Sequence, residues 1–380
     1  MGSEKQIKVH NKSDKPDNVV KKENDIFMEC EKLEKELPKF LRGYFAYLKG
    51  NVLPMTRLAY LHDVTHFFNY LVNESPLTEA EKISDIKISE IERIKARDVN
   101  QYLDFCRNYK VEDEDSVTVY TNTNKTLARK KSSVSVMFKQ LYRDELISKN
   151  ITDGFDPIRV PKPGEREIKA LQDDEVMIML DAVTNGTGMS KHQLGYWEKT
   201  KYRDKAMLVL FITYGLRLSE LQQLNVSSFN FNRGEFKIYR KRGKESIMPV
   251  NTTITNAFNE YLDFERPDED SLEESEKDAL LLSMRGTRLT DRQIREIVKK
   301  YTAISMGTTK RNGYSPHKLR ATAATSLIGR GNSIFDVQEL LDHDNVTTTQ
   351  LYAAHKLNTK RELIKNFEWG EDMHPGNKNE

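Results

Sequence analysis

The sequence predicts a mainly α-helical chain of two domains, the second an α+β unit with a small β-sheet or hairpin. Three observations predict it. Apolar residues recur at helical spacing in most of the patterned stretches. One stretch, Phe236-Lys237-Ile238-Tyr239, alternates as a strand should, and Ser246 to Val250 reads as its hairpin partner. Residues 150–168 lack periodicity and carry Gly154, Pro157, Pro161, Pro163 and Gly164, so they separate two differently patterned halves.

A length of 380 residues fits about two domains. No apolar run approaches the ~20 residues a membrane helix needs, and the polar N-terminus has no signal-peptide core, so the cytoplasm is the expected compartment. Cys30 and Cys106 give neither a disulfide framework nor metal-ligand spacing. A net charge of +2 decides nothing about nucleic acid, because acidic segments can cancel a local basic surface in the sum.

Residues 1–25 are polar, lysine-rich and unpatterned, and read as a disordered tail. A helical domain is expected over 30–148. Its first clear helix follows Thr56, with Tyr60, Val64, Phe67, Phe68 and Leu71 on one face. A second covers Val99 to Tyr109, with Tyr102, Leu103 and Cys106 inward. A third runs from Thr126 to Leu146, with Val134, Met137, Phe138, Leu141 and Tyr142 inward. No strand is predicted before residue 150. The third helix also carries Arg129, Lys130, Lys131, Lys139 and Arg143. Such a run reads as a solvated face or, given the residues downstream, as a row of DNA phosphate contacts. A linker follows over 149–167.

The second domain is expected over 168–367, with a polar tail at 368–380. Asp204 to Tyr214 is a strongly apolar helix. Residues 266–278 are acidic and predict a surface loop. Further helices are expected at Asp291 to Tyr301, Pro316 to Ile328 and Ile334 to Leu341. Beyond them Leu357, Leu363, Ile364, Phe367 and Trp369 form an apolar series that must bury its face somewhere.

Six residues of this domain have the chemistry that cutting and rejoining a DNA phosphodiester requires: Arg217, Lys241, His317, Arg320, His343 and Tyr352. Such a reaction needs a nucleophile, positive donors for the phosphate oxygens, an acid for the leaving oxygen and an orienting shell. The arginine fork matches two oxygens at once. Arg217 follows Gly215 and opens a helix in which Glu220 can orient the guanidinium. Ser315-Pro316 is a helix start, a hydroxyl cap followed by proline, so His317 and Arg320 lie in the first turn and share a side. Lys241 sits in the hairpin turn and can protonate a leaving oxygen, although Arg240, Arg242 and Lys244 flank it. Each has an ordinary explanation alone: a surface Arg–Glu pair, a basic turn, a capping histidine, a packing tyrosine. The ordered set does not.

These residues, in the contexts Thr213-Tyr214-Gly215-Leu216-Arg217, Ser315-Pro316-His317-Lys318-Leu319-Arg320, Leu340-Leu341-Asp342-His343 and Thr349-Gln350-Leu351-Tyr352, resemble the tyrosine recombinases, the phage-integrase and Xer group. Residues 168–367 are similar to the catalytic domain of that family, and 30–148 to its helical, SAM-like core-binding domain. The long first domain, the hairpin turn and an extended loop near 185–200 look most like single-recombinase XerS-type proteins. The spacing from Arg217 selects Lys241 among its neighbours. Two positions depart from the pattern: Ala321, where many members carry histidine, and Asp342, where glycine is common. The resemblance implies that Tyr352 attacks DNA to form a 3′-phosphotyrosine, with no metal or other cofactor. It implies a monomer or weak dimer when free, closing on double-stranded DNA as a clamp and assembling as a homo-tetramer on two synapsed sites, with no membrane partner. Two other readings stay open at this stage: a type IB topoisomerase and a non-catalytic architectural DNA-binding protein.

Overall fold

Pro54 sets the first turn of a helix, and Leu61, Val64, Phe67, Phe68 and Leu71 then line one face of it, all of them buried. The same logic builds most of the protein. The computed structural model describes residues 15–113, 116–161, 169–240 and 243–342. The chain divides into two compact units, 1–161 and 162–380. Among the described residues no helix is long and apolar enough to cross a membrane.

The first unit runs α1 (Asp17–Glu36), α2 (Arg42–Asn51), α3 (Pro54–Asn73), α4 (Ile88–Ile91), α5 (Ala96–Phe105), β1 (Asn108–Asp113), β2 (Ser116–Thr121) and α6 (Asn124–Arg143). Tyr102 of α5 and Phe138 of α6 meet Phe67 of α3 edge to face, which centres the core on these three helices.

Two expectations are corrected here. The chain is helical from Asp17, within the stretch expected as a disordered tail to residue 25, because Val19, Ile26, Cys30 and Leu33 recur at helical intervals within the lysine-rich sequence. Arg57 of α3 also ion-pairs with Glu34 at 2.6 Å, tying α1 down. Residues 1–14 lie outside the described part. A strand pair also stands before residue 150. The helix expected to reach Tyr109 stops at Phe105, and β1 and β2 form an antiparallel hairpin. Every residue of β2 is exposed, so no buried alternation marks it. What holds it is the cross-strand pair Tyr109–Tyr120, stacked at 5.1 Å, with Phe105 stacked on Tyr109 in turn.

The second unit runs α7 (Asp173–Asn185), α8 (Lys191–Trp197), α9 (Lys201–Tyr214), α10 (Leu218–Gln222), β3 (Phe229–Asn230), β4 (Glu235–Tyr239), β5 (Glu245–Pro249), α11 (Thr252–Phe264), α12 (Asp291–Ser305), α13 (Pro316–Gly329) and α14 (Ile334–Leu341). α9 is buried without a break from Ala206 to Phe211, so it is the central helix, packed by α7, α11 and α13. The expected hairpin forms as β4–β5, and β3 adds a short third antiparallel strand. The segment near 185–200, expected as a loop, holds α8, which Ser190 caps and which Trp197 pins by donating to the Val183 carbonyl at 2.8 Å. The acidic segment 266–278 makes two short 3-10 turns anchored by buried Leu272.

Candidate active site

α9 ends at Gly215 in the left-handed region, at φ 58°. A Cβ there would come within 2.5 Å of Leu341, so glycine both permits the turn and lets α14 approach. The turn delivers Arg217 to the start of α10. Its backbone N–H donates to Glu220 Oε2 at 2.7 Å, and its Nη1 donates to Glu220 Oε1 at 2.7 Å. Glu220 is buried. The supporting carboxylate expected from the sequence therefore grips both ends of the arginine.

α13 begins with Pro316 in its first turn, as expected. The Ser315 hydroxyl, expected to cap the helix, does not do so. Its backbone carbonyl accepts instead, from the Lys318 N–H at 2.8 Å and the Leu319 N–H at 3.3 Å. His317 is exposed in the first turn. Arg320, one turn on, is buried and donates to the Gly215 carbonyl at 2.6 Å and to the Leu341 carbonyl.

The end of α14 gathers the site. A helix C-terminus leaves its last carbonyls without intrahelical partners and carries partial negative charge. Three consecutive carbonyls here each accept from a different arginine. Leu340 takes Arg240 Nη2 at 2.7 Å, Leu341 takes Arg320 Nη2, and Asp342 takes Arg217 Nη2 at 2.7 Å. The three guanidinium groups come from α10, from the β4–β5 turn and from α13, far apart in sequence. They converge on the three residues before His343.

Asp342 follows with φ 50°, a left-handed backbone that glycine adopts freely and aspartate tolerates. Its carboxylate accepts from Lys244 Nζ at 2.8 Å and lies 3.8 Å from Arg217 Nη1 and 3.9 Å from Arg240 Nη1. Partial burial works against its ionisation, but Lys244, Arg240 and Arg217 outweigh that and hold the carboxyl below the ordinary carboxylate range. Ala321 is buried between α13 and α14 with Ala324, Val337 and Leu341, where a small side chain keeps the two helices close.

The structure thus brings Arg217, Arg320 and Glu220 together, with His317 on the same helix as Arg320. Lys241, His343, Tyr352 and the apolar series from Leu357 to Trp369 lie outside the described residues. Arg240, which the sequence offered only as a neighbour of Lys241, sits inside the site. Its signal was the strand register: just past the end of β4, it falls two positions after Ile238 and four after Phe236, in line with the strand's inward face, and all three are buried.

In the first unit, three residues of the expected row of phosphate contacts have partners within the protein. Lys130 is buried, with its Nζ 3.8 Å from Asp63. Arg129 donates to the same Asp63 and to the Ala59 carbonyl. Lys131 donates to the carbonyls of Phe155 and Asp156, at 3.3 and 2.7 Å. Of the three only Lys130 is buried; Arg129 stays exposed and Lys131 half-buried. Lys139 and Arg143 are exposed.

The phage integrase family profile matches residues 169–359. Tyrosine recombinase XerC of Caldanaerobacter subterraneus subsp. tengcongensis is 31% identical over 355 residues, covering 91% of this chain and 90% of its own length. Tyrosine recombinase XerD of Staphylococcus epidermidis is 27% identical over 285 residues, covering 71% of this chain and 90% of its own. The fold is shared with XerH site-specific recombinase bound to palindromic difH in a post-cleavage complex, at 18% identity and a TM-score of 0.58, covering 94% of this chain and 91% of that one. It is also shared with the Tn1549 transposon integrase bound to circular intermediate DNA, at 19% identity and a TM-score of 0.54, over 86% of this chain and 98% of that one. With the family profile covering the domain that gathers these arginines, and a relative at this identity over nearly the whole chain, the protein belongs to the phage integrase family and is a tyrosine-type site-specific DNA recombinase.

Proposed function

We propose that Tyr352 attacks the scissile phosphate of a specific double-stranded DNA site, held by Arg217, Arg320, His317 and His343, while Lys241 protonates the leaving 5′ oxygen. The phosphorus–O5′ bond breaks as the phosphorus–phenol oxygen bond forms, leaving a 3′-phosphotyrosine and a free 5′ hydroxyl. A 5′ hydroxyl from a partner duplex reverses the step. One phosphodiester is exchanged for another, so the covalent link stores the bond energy that rejoining needs. The observation that supports this reading is the convergence of Arg217 and Arg320 on the end of α14, immediately before His343. Both are fixed before substrate arrives, which is what makes such donors effective in a transition state.

In the same reading the exposed Lys139 and Arg143 contact DNA phosphates, and two synapsed sites carry a homo-tetramer coupled through the segment that holds Phe367 and Trp369. The protein acts in the cytoplasm, in chromosome-dimer resolution or in movement of a mobile element. A nicked suicide DNA carrying the recombination site tests the central step. Wild-type protein should accumulate a covalent DNA adduct, and Tyr352→Phe should form none while binding the DNA with nearly unchanged affinity. An adduct formed by Tyr352→Phe would contradict the assignment.

A further inference from the structure

Arg240 is an unusual arginine. It is 6% exposed, and among the described residues its Nε and Nη1 have no hydrogen-bond partner. Only Nη2 is satisfied, by the Leu340 carbonyl at 2.7 Å and the Met248 sulfur at 3.5 Å. Buried donors are rarely left unpaired, and a charged one is costly to leave so. It continues the inward alternation of Phe236 and Ile238 just past the end of β4, so its burial follows from the backbone course.

The orphan Nη1 faces the site already described. It lies 3.9 Å from Asp342 Oδ2, and Arg217 Nη1 lies 3.8 Å from that same oxygen. Both distances are within ion-pair range and beyond a hydrogen bond. An anionic oxygen at about 2.9 Å would complete the geometry. Among the described residues, Arg217, Arg240 and Lys244 all lie within ion-pair range of the one Asp342 carboxylate, and Arg217 also pairs with Glu220. The backbone of Arg240 also closes the turn that carries Lys241, since its N–H donates to the Lys244 carbonyl at 2.8 Å and its carbonyl accepts from the Gly243 N–H at 3.1 Å.

We propose that Arg240 is a third phosphate-contacting guanidinium of this recombinase, whose Nη1 donates to a non-bridging oxygen of the scissile phosphate beside Arg217, with Asp342 as the counter-charge the phosphate displaces. This rests on the reading of Arg217 and Arg320 as the phosphate clamp. It adds a guanidinium from the residue immediately before Lys241 in the sequence. Burial pulls the Arg240 pKa below its ordinary value against the opposing pull of Glu220 and Asp342, which fits a cation whose counter-ion is incomplete until substrate binds.

The test is single-turnover cleavage of a nicked suicide site by wild type, Arg240→Gln, Arg240→Lys and Arg217→Ala. Each is assayed on the ordinary phosphodiester and on a DNA whose scissile phosphate is a methylphosphonate, in which one anionic oxygen is replaced by methyl. Arg240→Gln keeps a donor for Leu340 and should cleave the phosphodiester about 100-fold more slowly, the scale of removing one oxyanion donor. Its deficit should shrink at least tenfold on the methylphosphonate, a readout that a merely structural role would not move. Should Arg240→Gln fail to fold, Arg240→Lys decides, because it keeps the charge without the fork and should show the same substrate-dependent deficit. A wild-type rate, or an equal deficit on both substrates, overturns the proposal for Arg240 while an impaired Arg217→Ala leaves the clamp standing. Wild-type cleavage by Arg217→Ala would overturn the clamp itself, and the proposal with it.

Discussion

Asp63 and Asp342 are each ringed by cations, and the two rings differ in what they leave available. Asp63, 2% exposed, is closed: Arg129 and Ser133 donate to one carboxylate oxygen, and buried Lys130 lies 3.8 Å from the other. Asp342 is open, with a side chain 20% exposed, one hydrogen-bonded lysine and two arginines that stop short of bonding. The first arrangement consumes its cations to hold α3 against α6. The second keeps its cations charged and aimed. Positive side chains in a DNA enzyme are thus not one population, and their carboxylate partners sort them.

The largest expected difference is in stability. Asp63→Asn leaves the buried Lys130 unpaired and should cost about 3–5 kcal/mol, as breaking one side of a buried pair does. Asp342→Asn keeps a residue that tolerates the left-handed backbone and loses only partly exposed pairs, so it should cost about 1 kcal/mol or less. Urea unfolding of both variants checks this. Equal losses would erase the distinction between the two rings.

A smaller effect sharpens the comparison on DNA. Neutralising the exposed Lys139 and Arg143 together should lower the salt slope of binding by roughly two units, about 0.9 for each phosphate that is no longer neutralised. Lys131→Ala removes a lysine already committed to two backbone carbonyls and should leave the slope unchanged. If Lys131→Ala flattens the slope and the double variant does not, the phosphate-facing side of α6 has been taken the wrong way round.

Periodicity made most of this architecture legible. The apolar faces of α3, α6 and α12 and the alternation of β4 are local signals, and the Arg217–Glu220 grip follows from a three-residue spacing. The β1–β2 hairpin was not legible, because an exposed strand pair held by Tyr109 on Tyr120 buries nothing in alternation. Nor was the commitment of Lys130 to Asp63, far apart in sequence, since ion pairing across a core depends on tertiary placement. Arg240 was half legible: its inward register could be counted, but the α14 carbonyl that receives it lies 100 residues on.

If the cations gathered at the end of α14 serve the phosphate, Arg217→Lys probes them most directly, because it keeps the charge and removes the planar fork. In single-turnover cleavage of a nicked recombination site, the rate should fall by about 100-fold, on the scale of about 3 kcal/mol for one transition-state donor, with DNA affinity nearly unchanged. Cleavage by Arg217→Lys at close to the wild-type rate would contradict a phosphate clamp at this helix end.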